Sequence, residues 1–352
     1  MYEIMQADLT AWTPDPEKYH ALISDPPYEL GFMGHGWDKS GLPFSVEFWE
    51  RMKSGLLPGA FCMAFSSTRT IHHMMVAIED AGFVIHPMIC WAFGSGFPKA
   101  TRIKNDDRFS TYRYGLQALK PAFEPIVVFQ KPYRGRAVDC ITSTGAGALN
   151  IEGELVGDEE IVNSYTSSIY GNVMSKKNEK SVSGRWPANL VLQSDAAGMI
   201  DKQSGASYSR RGASRFFYNV NENLDAADPL YYCSKASASE RDAGLAGFEE
   251  KPAGAMQGRR EGSFADGGQV TARNHHPTCK PIDLIRHLSA LLLPPSEYVP
   301  RKILVPFSGS GSEMIGCHIA GWDEITGIER ETEYIEIARA RLEHWTAQAD
   351  LF

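Results

Sequence analysis

Ser24-Asp25-Pro26-Pro27-Tyr28 places a carboxylate, two prolines and a phenol at the end of a short apolar run, His20–Ser24. Consecutive prolines fix two φ angles and remove two N–H donors, and each biases the residue before it toward extended geometry. The expected product is a stiff loop that presents carbonyl acceptors, one carboxylate and one aromatic face. That set suits an amino group on a planar base, whose nitrogen lone pair is delocalised into the ring and is a poor nucleophile. Asp25 and the Pro26 carbonyl can accept its two N–H bonds and draw the nitrogen toward tetrahedral geometry, while Tyr28 stacks on the ring. Pro-Pro alone is common in ordinary loops; the whole tetrapeptide after a strand is far more specific.

A second segment, Phe307-Ser308-Gly309-Ser310-Gly311-Ser312, lies between a strand-like run and a helix-like run. Its glycines allow the backbone to approach a ligand, and the following helix N-terminus favours negative charge. Glu329 closes the next strand about 20 residues on, where an acid would bind ribose hydroxyls. By itself this pattern also fits a dinucleotide site, and hence a nicotinamide-dependent oxidoreductase.

The elements that must position these residues alternate. Residues 2–7, 20–24, 61–66, 83–93 and 125–130 are expected strands, with helices over Ser45–Leu57, ended by Pro58-Gly59, and from Thr70 to Gly82. The pattern resumes after Pro281: helix 283–293, strand Lys302–Val305, helix 313–322, strand 324–329, and a helix over Glu331–Trp345 with Tyr334, Ala338, Arg341 and Trp345 at helical spacing. Such alternation predicts an α/β fold with a mostly parallel sheet covered on both faces. Between them, residues 133–275 are rich in Gly, Ser, Asn and Arg, with WPANLVL (186–192) and FFYNV (216–220) as small apolar anchors.

The chain has 352 residues, 43% of them hydrophobic, enough for one large domain with an insertion or for two domains. It has no run of about 20 apolar residues, so no membrane span is expected, and MYEIMQADLTAW does not have the form of a signal peptide. Six scattered cysteines without a C-x-x-C pair suit reduced thiols in a cytoplasm. His72-His73 and His275-His276 lack further ligand spacing, so no metal site is expected. The net charge of −8 argues mildly against a nucleic-acid binder, but the charge is unevenly placed. Lys99–Arg136 holds nine basic and three acidic residues, and Lys202–Arg215 four basic and none acidic, whereas 297–352 holds ten acidic and five basic. The middle of the chain is therefore either ordinary solvated surface or a basic face for phosphates.

Asp-Pro-Pro-Tyr resembles the catalytic motif of amino-group DNA methyltransferases, and the following GFMGHGWD (31–38) is similar to the loop of phage-type and mobile-element adenine methylases. FSGSGS resembles the S-adenosylmethionine loop of the same enzymes, with Val305-Pro306-Phe307 where Asp-Pro-Phe is usual. His276-Pro277-Thr278-Cys279-Lys280-Pro281 resembles their His-Pro-Thr-x-Lys-Pro. The motif order matches the circularly permuted β group. GRWPANLVL, ASRFFY and YYCSKASASERDAGL extend the likeness weakly into the middle of the chain.

The resemblance implies a circularly permuted Rossmann-like methyltransferase sheet with an inserted DNA-recognition region. Residues 1–132 would be the catalytic half, 133–275 the target-recognition insertion and 276–352 the cofactor half. It implies methyl transfer from S-adenosylmethionine to N6 of adenine, since Asp at the first place of the tetrapeptide goes mostly with adenine; N4 of cytosine and a non-catalytic DNA-binding relative are the competing readings. Asp25, Pro26, Pro27 and Tyr28 would hold the base. Asp8, Thr278, Lys280, Phe307, Ser308, Gly309, Gly311, Ser312 and Glu329 would bind the cofactor, with Thr278 and Lys280 at its methionyl carboxylate. Trp37 and Asp38 are expected near the target as loop residues. Phe93–Lys99 is also similar to phage-type methylases, so Lys99 and Arg102, together with Arg210, Arg211 and Arg215, are expected to meet DNA. Double-stranded DNA is the expected partner. A homodimer and a cognate restriction endonuclease are left open.

Overall fold

The structure, a computed structural model, describes residues 1–30, 40–96, 98–104, 106–165, 178–204, 212–220, 236–252 and 271–349. In chain order the strands are β1 (Tyr2–Gln6), β2 (Tyr19–Ser24), β3 (Leu56–Phe65), β4 (Val84–Ala92), β5 (Lys99–Arg102), β6 (Arg113–Gln117), β7 (Phe123–Gln130), β8 (Val156–Tyr165), β9 (Asn178–Arg185), β10 (Leu190–Gln193), β11 (Tyr218–Val220), β12 (Lys251–Pro252), β13 (Thr271–Ala272), β14 (Lys302–Pro306) and β15 (Glu324–Glu329). The helices are α1 (Val46–Gly55), α2 (Ile71–Asp80), α3 (Ala137–Thr144), α4 (Ser194–Ser204), α5 (Ala238–Asp242), α6 (Ile282–Leu291), α7 (Ser312–Ile319) and α8 (Thr332–Ala349).

Nine strands form one sheet in the order β1-β15-β14-β2-β3-β7-β4-β10-β11. Every neighbouring pair is parallel except those made by β7, which runs antiparallel to β3 and β4. This is the expected Rossmann-like sheet, and the permutation is visible in it: β14, from the end of the chain, pairs with β2, and β15 pairs with β1. Successive residues of β2 feed opposite faces, as the period of two requires. Ala21 and Ile23 pack with α6, α7 and α8, whereas Leu22 packs with Phe48, Trp49 and Met52 of α1 and Met74 and Ile78 of α2. Because both faces are covered, the central strands are continuous apolar runs rather than alternating ones.

Two expectations about this frame are revised. α1 ends at Gly55 and β3 begins at Leu56, so Pro58-Gly59 lies inside the strand rather than in a connecting turn. Gly59 stays paired there, its N–H donating to the Lys131 carbonyl at 3.1 Å. Residues 133–275, expected as an insertion, supply β10 and β11 to the central sheet, so its two apolar anchors are sheet strands. A polar network fixes this extension to α6. The Tyr218 hydroxyl donates to Asp283 at 2.8 Å and accepts from Arg286 at 2.7 Å, while the Tyr218 ring stacks on His287 at 3.7 Å. Glu154 in turn receives Arg286 at 3.1 Å and His287 at 2.9 Å. Among the described residues no helix is long and apolar enough to cross a membrane.

Gly59 has φ +83°, and a Cβ there would lie 2.4 Å from the Cys140 sulfur. Gly59→Ala therefore combines backbone strain with a steric conflict in the contact between β3 and α3. It is expected to lower unfolding stability by about 2–3 kcal/mol, measured as a fall in the denaturant midpoint at unchanged slope.

Candidate active site

The pairing of β2 with β14 brings the two principal motifs to one edge of the sheet. Ser24, the last residue of β2, donates from its hydroxyl to the Pro306 carbonyl at 3.0 Å, in a buried bond between the two strand ends. Asp25 follows on one side and Phe307 on the other. A doubly wound sheet offers its ligand crevice at such carboxyl ends.

The tetrapeptide is held by groups that were not expected. Asp25 accepts from the Lys280 ammonium, and both side chains are nearly buried, at 10% and 6% exposure. The same ammonium lies 4.8 Å from the centre of the Phe65 ring and 5.4 Å from that of Tyr28. The Tyr28 hydroxyl donates to Glu124, near the start of β7, at 3.0 Å, and its backbone carbonyl accepts from Thr70 at 2.9 Å. These contacts fix the loop that Pro26 and Pro27 stiffen. Burial pushes the Tyr28 phenol well above its ordinary value, and the carboxylates of Asp25 and Glu124 add to this. It is therefore a neutral donor across the physiological range.

Lys280, expected at the cofactor's methionyl carboxylate, here meets the carboxylate of Asp25. Burial alone would depress its pKa, but Asp25, Glu124 and Glu313 outweigh that and raise it. Glu313, buried in the first turn of α7, responds in the opposite way: desolvation and the Asp25 charge push it up to about 7, against the pull of Lys280. Lys280 is thus linked electrostatically to Asp25, Glu124 and Glu313.

The Gly-rich turn is built from left-handed backbone. Phe307, Gly309 and Gly311 have φ of 57°, 49° and 82°. At Gly309 a Cβ would lie 2.8 Å from Nε2 of His276, so the histidine of the third motif closes over the turn. The His276 ring also meets the Thr278 carbonyl at 2.7 Å and Tyr334 edge-on at 4.6 Å. Beneath the turn, the fully buried Arg341 of α8 donates to the Ser310 carbonyl at 2.7 Å and to the Ser312 hydroxyl at 3.0 Å. Cys279 completes the support, 3.2 Å from the Ser310 hydroxyl. Burial would raise its thiol, but Arg241, His276 and Arg341 bring it down to about 5.

Glu329 ends β15 beside this turn. Its Oε2 accepts from the Gly309 N–H at 2.9 Å, and its Oε1 from the N–H groups of Arg330 and Glu331, each at 2.9 Å. A carboxylate has about four acceptor positions, so with three N–H donors bound one position, on Oε2, remains for a hydroxyl donor. A glycine-containing turn backed by such a carboxylate suits a ribose-bearing ligand. The Ser308 hydroxyl is buried without a protein partner among the described residues. Asp8 lies just beyond β1, which pairs with β15, but its Oδ1 caps the Thr10 N–H at 2.8 Å in a local turn.

The expected DNA-contacting residues lie elsewhere. Arg102 is exposed on β5, and Lys99 begins the same strand. Arg215 stacks on Phe216 at 4.4 Å, near β11. Arg210, Arg211, Trp37 and Asp38 lie outside the described residues.

Three site residues escaped the sequence reading, and two of them left a signal. Glu124 is an acid in an otherwise apolar strand, and Arg341 sits on the apolar stripe of α8. Glu313 resembles an ordinary first-turn helix acid, and only its burial distinguishes it.

Glu313 gives a pH-dependent expectation. A folded-state pKa raised above the unfolded value means that the native state binds more protons, so this group's contribution to stability falls as pH rises from about 4.5 to about 7. Glu313→Gln removes that loss. Thermal unfolding of variant and wild type from pH 5 to 8 should show the variant's relative stability increasing with pH and levelling above about 7.

A family model described as DNA methylase matches residues 19–340. The Type II methyltransferase M.HindIII of Haemophilus influenzae is 27% identical over 117 residues, 28% of this chain, and the match spans only 37% of that relative. Among solved structures, M1.HpyAVI aligns over 97% of this chain and 98% of its own, at 17% identity and a TM-score of 0.42. The cytosine-N4-specific PvuII DNA methyltransferase aligns over 99% and 91%, at 11% identity and a TM-score of 0.45. The family model runs from the start of β2 into α8 and so takes in both strands that carry the site, from which it follows that this chain belongs to the DNA methylase family.

Proposed function

We propose that the protein transfers a methyl group from S-adenosylmethionine to N6 of adenine in double-stranded DNA. The observation that carries this reading is the meeting of Asp25-Pro26-Pro27-Tyr28 with the Gly-rich turn at the ends of two adjacent parallel strands. An amino-holding loop and a nucleoside-holding turn at one crevice are what direct transfer between two bound molecules requires.

Glu329 and the 307–312 turn would hold the cofactor's nucleoside, with Asp8 and Thr278 at its margins. When bound, the cofactor supplies an electrophilic methyl group on a sulfonium. The protein's part is positioning. Lys280 holds one oxygen of Asp25, leaving the other oxygen to accept from the amino group. The Pro26 carbonyl accepts the second N–H bond, so the nitrogen lone pair is withdrawn from the ring and turned toward the methyl. Tyr28, anchored through Glu124, offers its face to the base. The target must leave the duplex to reach this crevice. Lys280 serves the methyl acceptor in this reading, rather than the cofactor's carboxylate.

Sequence recognition is assigned to the polar middle of the chain. Arg185 and Arg215 lie 4.9 and 4.4 Å from the centre of the Phe216 ring, and Trp186 beside them is 70% exposed. A cavity of about 240 Å³ next to them is lined by Arg185, Arg215, Tyr218 and Asn219 among others. Cationic and aromatic groups arranged in this way suit phosphates and base edges.

Asp25→Ala should abolish methyl transfer while leaving the cofactor dissociation constant within a few-fold of wild type. Gly309→Ala should do the reverse, weakening cofactor binding because its Cβ displaces His276. Titration of cofactor into both variants, beside single-turnover methylation, separates the two halves of the site.

Adenine is assigned because Asp25 opens the tetrapeptide, as it mostly does in adenine-directed relatives. DNA treated with the enzyme and labelled cofactor should yield N6-methyladenine on nucleoside mass spectrometry. Label found only in N4-methylcytosine would move the target to cytosine and leave amino-directed methylation standing.

A further inference from the structure

Between β4 and β7 the chain leaves the sheet and forms the β5–β6 hairpin, with Arg102 paired to Arg113 and Thr101 to Tyr114. Directly opposed residues share a face, and successive residues alternate. Arg102 and Arg113 therefore lie on one face and Tyr114 on the other, with Leu116 following across the register shift between Tyr114 and Gln117, where Gly115 has φ 126°. Both large side chains are bare: Tyr114 is 58% and Leu116 79% exposed. Among the described residues, neither Arg102 nor Arg113 forms an ion pair. Residues 99–120 carry six basic and two acidic side chains, in a chain whose net charge is −8. Arg113 donates only to the Ser110 and Tyr112 carbonyls, at 2.8 and 2.9 Å. Large side chains exposed beside cations that lack a carboxylate partner among the described residues mark an interaction surface, and the charge selects a polyanion.

The hairpin's root is fixed at the active site. Its ends are joined by the Phe93 N–H, which donates to the Ala122 carbonyl at 2.9 Å. The Gly94 N–H donates to Asp195 at 2.8 Å, and Lys120 donates to the Gly94 carbonyl. Two residues after Ala122 comes Glu124, the partner of Tyr28. The finger thus rises from the same sheet edge that carries Asp25.

We propose that this hairpin is a DNA wedge: Arg102 and Arg113 take backbone phosphates beside the target, and Tyr114 and Leu116 enter the base stack where the target base leaves it. This rests on the function proposed above and adds to it the element that opens the duplex. Extrusion costs unstacking energy, which is smaller for a base that is already unpaired. A stacking aromatic recovers part of that cost whatever the neighbouring sequence.

The test uses a duplex oligonucleotide carrying the site methylated by the wild-type enzyme, and the same duplex with a mismatch opposite the target. On the paired duplex, Tyr114→Ala/Leu116→Ala should lose on the order of tenfold in kcat/KM. On the mismatched duplex it should regain most of that loss, and Tyr114→Phe/Leu116→Met should behave as wild type on both. Arg102→Gln/Arg113→Gln should weaken binding to both duplexes alike and lower the slope of log affinity against log salt by about 2. A wild-type rate for the alanine variant on the paired duplex, or an equal loss on both duplexes, would overturn the wedge. An unchanged salt slope would overturn the phosphate contacts. Wild-type enzyme that methylates no DNA would instead overturn the function itself, and the hairpin's role with it.

Discussion

Everything at the active site depends on the parallel pairing of β2 with β14. The residues joined across it, Ser24 and Pro306, are 282 positions apart in sequence. Loop-closure entropy opposes such a long-range contact, though only logarithmically with length. The apolar cores on both faces of the sheet supply the compensating burial. Once the two strands are paired, their connections emerge at the same edge. The acceptor loop and the Gly-rich turn then have no other place to go.

A second constraint follows from the first. Bringing these motifs together sets Asp25, the partly exposed Glu124 and the buried Glu313 within electrostatic reach of the Lys280 ammonium. Burying charge is costly unless it is paired. Desolvation and the Asp25 charge push Glu313 up to about 7. Asp25 takes the ion pair, and Glu124 is engaged by the Tyr28 hydroxyl. The acceptor loop is therefore ordered by electrostatics as much as by its two prolines.

The Gly-rich turn is stabilised by a different principle. Behind its left-handed residues, Arg341 of α8 donates to the Ser310 carbonyl and to the Ser312 hydroxyl. Arg241 ties the third motif down in the same way, donating to the carbonyls of Asn274 and His276 at 3.2 and 2.8 Å. Two buried guanidinium groups beneath one turn favour an anion between them, and this accounts for the depressed Cys279 thiol. Cys279 occupies the variable place of its motif, yet here it is part of the support.

The local sequence was enough to place most elements, because strands buried on both faces are continuous apolar runs and helices carry a 3.6-residue stripe. It was also enough to identify the two chemical loops, since Asp-Pro-Pro-Tyr and the glycines of FSGSGS set backbone geometry by themselves. What it left undecided was partnership. Lys280 was read as a point charge for the cofactor's carboxylate, and the fold sets it against the carboxylate of Asp25, 255 residues away. Residues 186–192 and 216–220 were recognised as apolar anchors, but strand registry with β4 made them part of the catalytic sheet. Glu313 and Arg341 look like surface charges until the chain buries them, and Glu124 until it meets the Tyr28 hydroxyl. Local geometry is encoded in residue type, whereas desolvation and ion pairing depend on what the tertiary structure places alongside.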